Sequence, residues 1–364
     1  MHGILCGRGL GVEFLIRRCV CGVYPPKKFR DEAEEDSLLI FSIKMNEQFS
    51  AEEVMSADPV KKPKLSGVFA PTVTAFNNDE SLSTQGTRAF VRFLLEAGVH
   101  GLTPLGSAGE PIALTTAERM KALEAIVDET AGRVPIYAGT SDYSTATTIE
   151  LSKHAQSIGC DGLMLMAPYV LKPPKQDVLN HFRRVREASG LPIMVYNVPV
   201  LTGVEITPEE IQMLAAEDVV HAVKWSHLEI GRVQDTRLLC GEGFAIFAGI
   251  DITAFSALAL GADGWIGGMP MIAPALAIEL CRLLTKEKNL EAARALWLRM
   301  LPIIRLEYRA MGTNDASPHW LAVCRESAAL RGIPVGVSRA PLSALNGAAR
   351  EELRALMEGL GQLK

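Results

Sequence analysis

Eight short apolar runs constrain this chain more than any other feature. They begin near residues 67, 101, 134, 162, 191, 219, 244 and 264, so successive starts lie 20 to 34 residues apart. The runs are β-branched and do not alternate with polar residues, as in parallel strands buried on both faces. Helical periodicity fills the gaps, with legible starts. Thr115-Thr116-Ala117-Glu118 reads as a capping box, and Thr207-Pro208-Glu209-Glu210 as another with proline in the first helical position.

Three junctions repeat one pattern: Ala97-Gly98-Val99-His100-Gly101-Leu102, Ile158-Gly159-Cys160-Asp161-Gly162-Leu163 and Leu260-Gly261-Ala262-Asp263-Gly264-Trp265. In each, the first glycine suits a left-handed helix cap, and the second lets a buried strand start close behind. Eight βα units predict a TIM (β/α)8 barrel, whose functional groups sit at the C-terminal ends of the strands. An open doubly wound sheet would want a phosphate-binding glycine loop. Gly7-Arg8-Gly9-Leu10-Gly11 has the wrong spacing for one and no good strand before it.

After about residue 289 the pattern is purely helical, with helices expected over 290–309, 318–330 and 348–360. The expected organisation is an N-terminal extension over 1–64, disordered or absent if translation starts at Met45. The barrel follows over 65–288, and a C-terminal helical appendix over 289–364.

A net charge of −5 leaves no basic footprint for nucleic acid and no polybasic face for anionic lipid. The longest apolar stretch, Ile252 to Ile278, is interrupted by Asp263 and by several glycines and prolines. A membrane helix needs about 20 apolar residues in succession, so no transmembrane segment is expected. Seven cysteines form no disulfide-like framework, and reduced cytoplasmic thiols are the simpler reading. No histidine or cysteine spacing suggests a metal site.

The chemistry centres on Lys224, which ends the sixth run, and Tyr196, which ends the fifth 28 residues earlier. The alternative is a solvated lysine at a strand terminus beside a core tyrosine. An amine and a phenol on neighbouring buried strands instead suggest a Schiff-base site: the amine attacks a ketone and the phenol moves the protons. An ordinary lysine, with a pKa of about 10.4, is only about 0.04% neutral at pH 7, so such an amine needs desolvation. The second run ends in Leu105-Gly106-Ser107-Ala108-Gly109-Glu110. That is either a tight βα turn or a cradle offering backbone N–H groups to an anion and a hydroxyl to a neighbour.

Taken together, several of these motifs resemble the pyruvate-dependent class I aldolase family that includes dihydrodipicolinate synthase and N-acetylneuraminate lyase. They are Gly-Ser-x-Gly-Glu at 106–110, Tyr196-Asn197-Val198-Pro199 with Thr202-Gly203, Lys224, Pro71-Thr72-Val73-Thr74-Ala75-Phe76 and Gly249-Ile250-Asp251. The resemblance covers about 65 to 345. It implies that Lys224 forms an imine with pyruvate or another 2-oxo acid, with Tyr196 and the Ser107 hydroxyl shuttling protons. The Ser107 and Ala108 amides would hold the carboxylate, and Gly249, Asp251 and the Ile266 carbonyl would line the pocket. It further implies an aldehyde as second substrate, a homotetramer, and no cofactor or metal beyond the lysine itself.

The departures narrow that expectation. Dihydrodipicolinate synthases typically carry arginine five residues after the tyrosine, where Leu201 stands. Their second tyrosine corresponds to Val170, and a second loop hydroxyl to Ala108. Leucine at 201 is similar to sialic-acid lyases. Their acidic residue, however, is matched by Ile252 and their sugar-binding serine by Gly268. Ser226 is a candidate for binding an aldol hydroxyl, His227 is either a bystander or a local acid–base group, and Trp225 either a packing residue or a stacking platform for an aromatic or sugar ring. The reading is a Schiff-base lyase releasing or condensing pyruvate. The alternatives are a dehydratase of a 2-oxo-3-deoxy sugar acid, 4-hydroxy-tetrahydrodipicolinate synthesis, which Leu201, Val170 and Ala108 disfavour, and a non-catalytic 2-oxo-acid-binding regulator.

Overall fold

The computed structural model describes residues 64–309 and 319–363. Of the expected extension, all but Lys64 lies outside the described residues. All eight apolar runs become parallel strands: β1 (Gly67–Pro71), β2 (Gly101–Thr103), β3 (Tyr137–Gly139), β4 (Gly162–Leu165), β5 (Ile193–Asn197), β6 (Val220–Trp225), β7 (Ala245–Ala248) and β8 (Gly264–Trp265). Their order in the sheet is β2-β1-β8-β7-β6-β5-β4-β3. A parallel bridge between Leu102 and Ile136 closes the remaining seam, and the Gly139 N–H adds a bond of 2.8 Å to the Pro104 carbonyl. β3 starts later than expected because Pro135 has no N–H to give the ladder, although its carbonyl accepts from Leu102 at 2.9 Å.

Helices follow the strands: α1 (Thr84–Glu96), α2 (Thr116–Thr130), α3 (Thr145–Ser157), α4 (Lys175–Ser189), α5 (Pro199–Thr202), α6 (Pro208–Ala216) and α7 (Gly231–Cys240). Then come α8 (Asp251–Ala259), α9 (Met269–Ile272) and α10 (Pro274–Thr285). Both expected capping boxes form, at Thr115 with Glu118 and at Thr207 with Glu210. The helical appendix consists of α11 (Leu290–Tyr308), α12 (Trp320–Ala329) and α13 (Gly347–Gly359). α11 packs on α8 and α10, and α12 on α9 and α11, so the appendix reaches the end of the barrel where the strands finish.

Strand residues alternate between two cores, as a period of two requires. Ile193, Val195, Val223 and Trp225 face the helices. Met194, Tyr196 and Ala222 face the barrel interior with Phe69, Tyr137, Met164, Ala245, Phe247 and Ile266. Phe69 meets Tyr137 edge-on at 6.2 Å and Phe247 at 5.1 Å, plugging the lower interior.

These rings give the repeated glycines a second purpose. The first glycine of each repeat is a left-handed cap as expected, with φ of +85° at Gly98, +89° at Gly159 and +105° at Gly261. The second makes room for a ring on the neighbouring strand. A Cβ at Gly101 would lie 2.5 Å from the Phe69 ring, and one at Gly162 or Gly264 would overlap Tyr137 or Phe247.

Candidate active site

The site begins with a register. β5 and β6 pair so that Tyr196 lies opposite Lys224, but the pairing slips between Ile193–Val220 and Met194–Ala222. His221 is the extra residue of that bulge. Counted straight on from Ile193–Val220, Tyr196 would face Val223, whose side chain belongs to the outer core. The bulge therefore puts the amine and the phenol on the same inward face.

Lys224 is 5% exposed, and its Nζ sits 3.8 Å from the centroid of the Tyr196 ring. The Tyr196 hydroxyl lies 3.3 Å from Ser107 Oγ, so the three side chains form a continuous set. Ser107–Gly109 is a single 3₁₀ turn. The N–H groups of Ser107 and Ala108 open that turn and have no acceptor within it, which is the geometry of an anion cradle.

Two anchors hold the loop in place. Thr74 Oγ1 donates to the Gly109 carbonyl at 2.7 Å. Glu110, at left-handed φ of 53°, is buried against Arg325 of α12, whose Nε donates to Glu110 Oε1 at 2.9 Å, and Ser338 donates to the same oxygen at 3.1 Å.

One cavity at the strand ends collects most of the residues expected from sequence. Ser107, Ala108, Tyr196, Leu201, Lys224, Ser226, Gly249 and Asp251 all line it. Ile266 does not. Its side chain packs in the barrel interior below, and Gly267 and Gly268 face the cavity instead. Ser226 donates to the Gly249 carbonyl at 3.1 Å, which leaves its oxygen free to accept. Leu201, 57% exposed, stands at the mouth beside Val200. Trp225 points outward and donates to Thr236 at 3.1 Å, and His227 accepts the Glu229 N–H at 2.9 Å.

Asp251 is less available than its sequence position suggests. Oδ2 takes the Gly268 N–H at 2.7 Å and Oδ1 takes the Met269 N–H at 3.1 Å. Burial pushes its carboxyl up, while those two N–H groups and the charge of Lys224 pull it back down.

Among the lining residues that went unnoticed in the sequence are Glu307 and Tyr308 at the end of α11, and Trp320 at the start of α12. Tyr308 accepts the Asp251 N–H at 3.0 Å. Burial holds its phenol well above the usual range, so it stays protonated and positions Asp251. Glu307 is fully buried, and burial together with Asp251 raises its carboxyl far above the usual carboxylate range. A signal did exist. Met300, Ile303, Ile304 and Glu307 form one buried helical stripe, and an acid on such a stripe calls for explanation.

The sequence profile of the Dihydrodipicolinate synthetase family matches residues 64–360. A 4-hydroxy-tetrahydrodipicolinate synthase of Pelobacter propionicus is 32% identical over 297 residues, covering 81% of this chain and 98% of that one. Among solved structures, the dihydrodipicolinate synthase of Thermotoga maritima matches with a TM-score of 0.75 at 29% identity, covering 83% of this chain and 100% of that one. A prophage protein of the same family from E. coli K12, crystallised with pyruvate, matches with a TM-score of 0.75 at 30% identity, covering 82% and 99%. A (β/α)8 barrel with a helical appendix, an amine beside a phenol where the strands end, and these matches lead to one conclusion: the chain is a member of the dihydrodipicolinate synthetase family, a lyase of the class I aldolase type.

Proposed function

We propose that Lys224 attacks the ketone of a 2-oxo acid and that the chain breaks or makes the bond between pyruvate and an aldehyde. The observation that carries this reading is the set of contacts from Nζ to the Tyr196 ring and from its hydroxyl to Ser107. The 2-oxo-acid carboxylate takes the Ser107 and Ala108 N–H groups. Lys224 adds to C2, water leaves, and an iminium remains. In the cleavage direction the C3–C4 bond breaks as the C4 hydroxyl gives up its proton, and the electron pair enters the iminium. The resulting enamine is protonated at C3, and water releases pyruvate and restores the amine. Tyr196, backed by Ser107, carries these protons. The iminium is the electron sink, so no metal or bound cofactor enters these steps.

The second substrate differs from the one implied by the names of the relatives. Leu201 and Val200 put hydrocarbon at the mouth, and Val170, 75% exposed, does not line this cavity. Among the described residues lining it, Lys224 is the only basic one. A carboxylate-bearing aldehyde finds no guanidinium there, whose charge-assisted bond is worth about 1.5–3 kcal/mol.

Assembly as a homotetramer and a cytoplasmic location belong to the same reading. Exposed Val170 and Leu171, with φ of 77° at Val170, support an apolar contact between copies. No helix among the described residues is long and apolar enough to cross a membrane, and Cys160, Cys240, Cys281 and Cys324 are all free thiols.

The test needs no aldehyde. In D2O, NMR follows exchange of the pyruvate methyl protons above the rate without enzyme, which the iminium–enamine cycle accelerates. The wild type exchanges them and Lys224→Ala does not. Equal exchange by both, or by neither, defeats the proposal.

A further inference from the structure

Glu307 is 1% exposed, and its Oε2 is buried with no hydrogen-bond partner among the described residues. Its carboxyl abuts that of Asp251, whose oxygens are already committed to the Gly268 and Met269 N–H groups. Two adjacent carboxyl groups out of water do not both ionise, and the two fixed donors select Asp251 as the anion. Glu307 is therefore an acid in its neutral form, facing the cavity that holds Lys224.

Gly268 explains how that acid fits. A Cβ at Gly268 would overlap Glu307 Oε1, so a side chain at 268 and the carboxyl of Glu307 compete for one space. The carboxyl delivered by α11 takes the space that a side chain at 268 would fill. The O–H of the neutral acid is given to the Asp251 carboxylate beside it, so the carboxyl presents its C=O to the cavity, which accepts from a hydroxyl. A substrate carboxylate would instead meet the charge of Asp251.

We propose that Glu307 determines specificity for the second substrate, hydrogen-bonding a hydroxyl carried by the aldehyde. The inference rests on the Lys224 imine and names the acceptor for that same site. Its test compares pyruvate condensation with glyceraldehyde and with propanal, which lacks the hydroxyls, and traps the pyruvate adduct with borohydride in parallel. The wild type prefers glyceraldehyde by about tenfold or more in kcat/KM, the order expected of one well-placed hydrogen bond. Glu307→Leu loses most of that preference. Glu307→Gln, which keeps a donor and an acceptor in the same space, restores it to within about threefold. A merely structural role would lower both aldehydes together and leave their ratio unmoved, and that result overturns the proposal. So does a ratio that falls equally in the leucine and glutamine variants. Absence of a pyruvate adduct in the wild type defeats the imine reading itself. An adduct with no glyceraldehyde preference defeats only the role of Glu307.

Discussion

The two halves of the cavity have different origins. Lys224, Tyr196 and Ser107 come from strand ends and a strand loop, and their positions follow from barrel geometry and one bulge. Glu307, Tyr308 and Trp320 come from helices that pack onto the barrel afterwards. The strand half is held by the sheet's backbone ladder, and the helix half by buried polar contacts: Tyr308 with Asp251, and Arg325 with Glu110. Chemistry common to a family belongs on the first half; on the proposal for Glu307, the second half shares selection of the second substrate with Leu201 and Val200 at the mouth. A barrel can keep its reaction while its appendix changes the acceptor.

Removing the proton carrier of the strand half should have the largest effect. Tyr196→Phe keeps the ring over Lys224 but loses the hydroxyl bonded to Ser107. The rate of pyruvate methyl exchange should fall about 10²–10⁴-fold. A fall of less than fivefold would mean that another group carries the protons.

Next comes the link between the halves. Arg325→Met leaves Glu110 buried without its cation, which should destabilise the fold by about 3–5 kcal/mol in urea unfolding. A loss below about 1 kcal/mol would show that the loop after β2 does not depend on α12.

The smallest effect is the most diagnostic of the helix half. Unfolded Glu307 ionises near the ordinary value of 4.5, while the folded chain keeps its proton to much higher pH. The raised folded value makes this contribution fully present below 4.5 and progressively lost as pH rises, by up to about 1.4 kcal/mol per pH unit. Glutamine cannot titrate. Glu307→Gln should therefore match the wild type near pH 4.5 and become the more stable of the two toward pH 7. Parallel stability profiles would mean that Glu307 is ionised in the folded state.

The strands, the capping boxes and the amine–phenol pair were legible because each is written locally, in a run of apolar residues or a cap. The bulge at His221 was not, since it depends on how two strands align rather than on either one. The second glycines of the repeat were read as spacers between helix and strand. Their reason lies across the sheet, in the Phe69, Tyr137 and Phe247 rings. Glu307 stayed hidden because its helix could be seen but not which barrel element it would meet. Gly268 registered only as a missing hydroxyl, and the structure supplies the group that takes up the space.

The central claim is that Lys224 is the covalent centre. Incubation with pyruvate, reduction with borohydride and peptide mapping test it most directly. A mass increase confined to the peptide carrying Lys224, and lost in Lys224→Ala, is the predicted result. No adduct, or the same adduct in the alanine variant, would contradict it.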